Sequence, residues 1–246
     1  MSDFTRSDEQ RMLAEALGGA LGIDADWQAA VVATGIDALG REEADGGLGI
    51  DLRDAAVVAA ALGRAGVALP WAEHWVTVRL GRAAAEGPAA SDAAGALGSV
   101  AGERRHWGED ALTVLHCAEI VGLCRTMMRD AATFSRERRQ FGVAVGSFQA
   151  LRHRMADMAM TLEQAAAITD VAIDTIDAPA DERRRAVSAA RVMCADAARL
   201  VGEGTVQVHG AMGLTAELRV GGFFRRAREL AQRDGTVATH LRRYAA

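Results

Sequence analysis

Between two long stretches of helical apolar spacing the chain gathers cations and amides, with Arg136, Arg138 and Arg139 running into Gln140-Phe141-Gly142. Guanidinium groups fork onto phosphate oxygens through paired hydrogen bonds, and an aromatic edge beside them suits a flat ring. The same residues would serve equally as the solvated basic end of a helix, where cations are favoured. A second stretch, Phe223 to Thr236, sets Asp234 just before Gly235 and Thr236. A carboxylate there can accept a proton or cap the short helix that follows, and both roles stay open. A third, Gln207-Val208-His209-Gly210-Ala211-Met212-Gly213, closes a helical run with glycines that permit close backbone approach.

The elements that must position these groups are helical. Apolar residues recur at helical spacing through Leu112, Leu115, Ile120, Leu123, Met127 and Met128, and again through Leu151, Met155, Met158 and Leu162. From Asp110 the spacing predicts helices over Ala111 to Arg138, Ser147 to Ile176, Ala180 to Val208 and Ala216 to Arg233, with a tail helix after Thr236. Rods of that length packed antiparallel form a four-helix bundle. Upstream, helices are expected over Asp3 to Leu21, with Ser2 or Ser7 as cap, around Trp27 to Val32, and from Leu52 to Arg64 after a glycine-dense turn ending Gly46-Gly47-Leu48-Gly49. From His74 to His106 the sequence turns rich in Ala, Gly and Ser and reads as a linker with one short helix.

Composition removes whole reaction classes. All 28 basic residues are Arg, so lysine chemistry such as a Schiff base or a Walker lysine is excluded. The net charge of −5 offers no general attraction to nucleic acid or an anionic membrane. Cys117, Cys124 and Cys194 lack metal or redox spacing and read as core thiols in a reducing compartment. His116 and His153 have no partners at ligand spacing and His209 reads as a structural residue, so no metal site is expected. The N-terminus shows no signal-peptide pattern and no apolar run reaches about 18 residues, so a cytoplasmic protein is expected.

Arg138-x-Gln140-Phe141-Gly142, then Phe148-Gln149, then Ala156-Asp157-Met158 resembles, without gaps, the signature of the acyl-CoA dehydrogenase family. The resemblance implies FAD, held across a subunit interface, with Arg138, Gln140 and Phe141 as contacts. Gln207, Gly210 and Gly213 match the family's second FAD loop, while Ala211 replaces its middle glycine. Arg225, Arg228, Gly235 and Thr236 match its closing segment, which adds Thr236 to the cofactor set. Asp234 stands where many members carry a catalytic glutamate, and Arg226 and Arg233 replace an expected acid and aromatic. Some members carry the base on the first long helix instead, at a position that Leu112 occupies here.

The glycine turn and the helix after it resemble the family's N-terminal helical domain. The implied architecture is all-α, with an N-terminal helical domain over residues 1–73, a reduced middle segment over 74–108 and a C-terminal four-helix bundle over 109–246. The family's middle β-domain, which walls the flavin and part of the acyl-CoA, has almost no room between them. The implied activity is FAD-dependent α,β-dehydrogenation of an acyl-CoA thioester, with Asp234 as base. The chain would act as a homodimer, a homotetramer or a heteromer with a full-length homologue. Alternatives are a non-catalytic subunit completing a partner's FAD site, and a flavin-free helical scaffold.

Overall fold

A helix that is largely apolar on every face must be buried on every face, and the stretch from Ala111 to Cys124 comes close to that condition. In the computed structural model, which describes residues 4–20, 35–39, 47–80, 93–210 and 218–246, it is part of one helix over Gly102–Glu137. Its start lies nine residues ahead of the expected Ala111, so the linker ends sooner than its composition suggests. An 18-residue window of this helix is apolar enough to cross a membrane by composition, yet 83% of that window is buried inside the fold. It is a core helix.

In chain order the helices are α1 (Asp8–Ala20), α2 (Ile36–Leu39), α3 (Leu52–Ala65), α4 (Trp71–Arg79), α5 (Ala93–Gly98), α6 (Gly102–Glu137), α7 (Gln149–Asp174), α8 (Ala180–His209), α9 (Val220–Leu230) and α10 (Val237–Ala245). The expected helix at Trp27 to Val32, the turn up to Gly46 and the loop holding Gly213 lie outside the described residues. Among the described residues the only strands are β1 (Arg139–Gln140) and β2 (Val143–Ala144), paired antiparallel. The protein is all-α, as its periodicity predicts.

Local chemistry sets most of the ends. Ser7 accepts from the Gln10 amide at 3.1 Å and so caps α1. Asp51 accepts from the Asp54 amide at 2.9 Å, and Gly66 closes α3 at φ 73, a conformation that costs glycine nothing. Pro179 precedes α8, and its fixed φ of −49 suits a helix start.

Packing then joins the two halves of the sequence. One core cluster of buried residues runs from Phe4 through α3, α4, α6, α7 and α8 to Leu230 in α9. Helix α4 straddles residue 73, and Trp75 in it is fully buried, so the N-terminal helices share a core with the bundle. Helices α3 and α6 cross in near backbone contact. A Cβ on Gly63 would sit 2.2 Å from the Glu119 carbonyl, and one on Gly122 would sit 2.1 Å from that of Ala60. No side chain fits at either position.

Candidate functional site

The arginine-rich corner forms where α6 ends. The Val145 amide donates to the Arg138 carbonyl at 2.8 Å, and a two-residue hairpin follows with Gln140 opposite Val143. Phe141 and Gly142 at its tip both take positive φ, 52 and 82, the pattern of a type I′ turn that matches the twist of its strands. Phe141 is 90% exposed and touches Phe148 edge-on, with ring centroids 6.2 Å apart.

Behind the hairpin, the end of α6, the start of α7 and the end of α8 enclose a groove of about 530 Å³ lined by Phe134, Arg138, Gln140, Arg154, Gln207 and Gly210, among others. Arg138 and Gln140 from the first motif thus meet Gln207 and Gly210 from the third, though 67 residues separate Gln140 from Gln207. No carboxylate lines the groove among the described residues, and neither Arg138 nor Arg154 has an acidic partner there. Two guanidiniums and two carboxamides form a donor set that fits a diphosphate. His209 lines the same groove but is held in place, its Nδ1 donating to the Thr205 carbonyl at 2.8 Å and its ring 4.5 Å from Phe134.

Asp234 is placed quite differently. It sits in the turn after α9 at φ 58, and its Oδ2 lies 2.7 Å from His116 Nδ1. The other ring nitrogen of His116 is 3.4 Å from Glu73 Oε1, and Arg233 reaches the same Glu73 oxygen at 2.5 Å. Burial by itself would push the His116 imidazole down, but the facing Asp234 and Glu73 carboxylates outweigh it and raise it to about 9. Burial likewise favours neutral Glu73, yet His116 and Arg233 hold its carboxyl down at about 2. Glu119, one turn along α6, is buried and chelated by Arg226 at 2.7 and 3.2 Å.

The cap of the tail helix is Thr236, whose hydroxyl accepts from the Thr239 amide at 3.1 Å, so the reading of Asp234 as the cap is corrected. Thr236 lies with Asp234 rather than in the hairpin groove. Asp234 also borders a cavity of about 610 Å³ with Asp110, Leu112, Arg183, His240 and Arg243. Asp110 and Phe134 border the two cavities from opposite ends of α6, about 36 Å apart along its axis. Within one chain the diphosphate-shaped groove and Asp234 are therefore remote.

Sequence reasoning missed His116. Its partners are 118 and 43 residues away, beyond any local spacing. A signal was present all the same: Asp110, Thr113, His116 and Glu119 repeat every three residues through the most apolar part of the helix, and all four are buried. Arg154 was likewise missed, since only the fold brings the first turns of α7 against the end of α8.

Comparison with known proteins gives the site its context. The family model for the acyl-CoA dehydrogenase C-terminal domain matches residues 113–246. The acyl-CoA dehydrogenase IpdE2 of Mycolicibacterium smegmatis is 34% identical over 134 residues, which is 54% of this chain and 41% of that one. The chain thus matches less than half the length of this curated relative. In fold it resembles a chain of the ChsE4-ChsE5 complex from Mycobacterium tuberculosis, with a TM-score of 0.81 at 17% identity over 99% of this chain and 98% of that one. It also resembles a chain of the Tcur3481-Tcur3483 steroid ACAD, with a TM-score of 0.80 at 15% identity over 97% of each. With more than half its length matched by the family model, the chain belongs to the acyl-CoA dehydrogenase family.

Proposed function

We propose that this chain is one subunit of a heteromeric, FAD-dependent acyl-CoA dehydrogenase, and that its hairpin groove holds the adenosine diphosphate half of a flavin whose ring lies on a partner. The observation that carries this reading is the convergence of Arg138, Arg154, Gln140 and Gln207 on one groove lined by no described carboxylate. Arg138 and Arg154 would hold the pyrophosphate, and the two carboxamides would orient it or the ribose. The exposed Phe141 ring at the hairpin tip would lie against an adenine or flavin edge of the shared cofactor.

A partner is required by what the chain lacks. From Leu80 to Ala101 there is no room for a β-domain, and the described part of that span is helix α5 with its flanks. The wall for the flavin ring and the acyl-CoA must then come from a full-length homologue. That the chain's structural neighbours include members of two-component complexes supports the heteromer. A bound flavin would supply the hydride acceptor for the β-carbon of the thioester, and a carboxylate would be needed to take the α-proton for the trans-2-enoyl product to form. In this chain Asp234 borders a cavity large enough for part of an acyl group, which supports a second reading in which the chain also carries a base.

Purifying the chain alone, and co-expressed with a full-length homologue, tests the proposal. Flavin absorbance and a mixed assembly in sedimentation are expected from the co-expressed pair, with little flavin on the chain alone. A monomer that retains FAD tightly, or a colourless complex, would overturn it.

A further inference from the structure

We infer that His116 holds Asp234 as the anchor of an ion bridge between the N-terminal helices and the closing turn. Here Oδ2 of Asp234 is engaged at 2.7 Å by a ring that is 2% exposed and rooted in the core helix.

A second carboxylate faces the ring from the far side. Its two nitrogens face two carboxylates, Asp234 from the closing turn and Glu73 from α4. A neutral imidazole carries a single N–H and no charge, whereas the protonated ring meets Asp234 with a hydrogen bond and Glu73 with its charge. The charged groups around it come from every element packed there: Glu73 from α4, Glu119 from α6, Arg191 from α8, Arg226 from α9, and Arg233 with Asp234 from the turn. Arg226 and Arg233 are two of the positions where the chain departs from its family's pattern, and both serve this network.

The main chain of the turn is pinned independently. Arg191, 1% exposed, donates through one terminal nitrogen to the Ala231 and Arg233 carbonyls, the latter at 2.8 Å. His240 donates from Nε2 to the Asp234 carbonyl at 2.8 Å. With its main chain held by α8 and α10 and its side chain by α6, the turn that carries Asp234 is fixed from three elements, at a φ of 58 rare for a non-glycine residue. These contacts lie within the chain and stand whether or not flavin binds, so loss of FAD from an Arg138 variant leaves this inference untouched.

The test is a pH titration of His116 by imidazole NMR in the wild-type chain and in Asp234→Asn, with amide exchange followed over residues 231–240. The wild-type ring should stay protonated through pH 8. In Asp234→Asn its midpoint should fall by more than one pH unit and the turn should exchange at least tenfold faster, while the hairpin amides do not change. Glu73→Gln perturbs the same ring from the other side and should lower the midpoint as well, which keeps the test alive if Asp234→Asn fails to fold. A wild-type ring that titrates like a free histidine overturns the inference. So would an Asp234→Asn turn that exchanges at the wild-type rate while flavin reduction by an acyl-CoA falls by orders of magnitude.

Discussion

At the C-terminal end of α6, Arg138 and Arg154 face a groove with no carboxylate among its described lining, whereas near the N-terminal end Arg183 and Arg243 converge on Asp110, itself 1% exposed. The residue type is the same and the solvation is opposite. A guanidinium that folding has already paired has no spare valence for a ligand, and taking it out of water is repaid only by its partner. One that folding leaves unpaired in a concave groove keeps its donors for an anion from outside. In a chain whose 28 basic residues are all Arg, the presence of arginine says little, and its pairing says which end has donors to spare and which end holds the fold.

The contrast is broken hardest at the paired end. Asp110→Ala would leave Arg183, with a side chain 5% exposed, with only the exposed Glu103 as a partner and would release Arg243 as well. Removing one member of a buried pair costs roughly 3 to 5 kcal/mol, so the urea midpoint should drop sharply. Arg139→Ala, on the hairpin, should move it by no more than about 0.5 kcal/mol. Equal losses would show that the two ends do not differ in kind.

The pH profile separates the ends next. The His116 imidazole, raised from 6.5 to about 9, binds its proton more tightly folded than unfolded. Its contribution is therefore fully present below pH 6.5 and lost as pH rises through about 9, a change on the order of 3 kcal/mol. Glu73, held down at about 2, acts in the other direction, its contribution being lost as pH falls from 4.5 toward 2. Since the two face each other these contributions are shared and do not add. Unfolding midpoints measured from pH 7 to 10 should fall for the wild type and stay nearly flat for His116→Gln.

At the unpaired end the effect should appear in ligand and not in stability. Arg138→Ala removes a charge-assisted contact to pyrophosphate worth roughly 1.5 to 3 kcal/mol, so flavin retention in the assembled complex should fall by at least tenfold at unchanged helicity. Arg136 is turned toward Thr133, at 3.2 Å, and its removal should matter less. Equal flavin content in the wild type and Arg138→Ala would return this corner to a solvated helix end.

These two ends were unequally legible in the sequence. The bundle helices are local objects, and α7 and α8 lie within two residues of the ranges their periodicity predicts. The hairpin was readable because its chemistry is contiguous, five residues from Arg138 to Gly142. The closing turn was not, because its meaning depends on Glu73, His116 and Asp234, which share no segment. Helix α9 stops at Leu230, ahead of the expected Arg233, and that early stop frees Arg233 and Asp234 to reach back to α4 and α6. A helical pattern cannot announce such an end when tertiary ion pairs, rather than a cap, decide it.

The smallest expected effect gives the sharpest test of the hairpin, because stability and function should move in opposite directions. Phe141 holds φ at 52, a left-handed conformation that bulky side chains rarely take, and leaves its ring 90% exposed. Neither feature helps the fold. Asparagine tolerates this conformation far better, and Asn-Gly is the preferred pair for a type I′ turn. Phe141→Asn should therefore steady the hairpin by a few tenths of a kcal/mol to about 1 kcal/mol, seen as slower amide exchange at Val143 and Val145. If the ring serves a cofactor shared with a partner, the same variant should lose flavin or mixed assembly despite its better turn. A variant with a steadier hairpin and undiminished flavin would show that the strain at Phe141 has no function, and would leave the groove arginines to carry the binding reading alone.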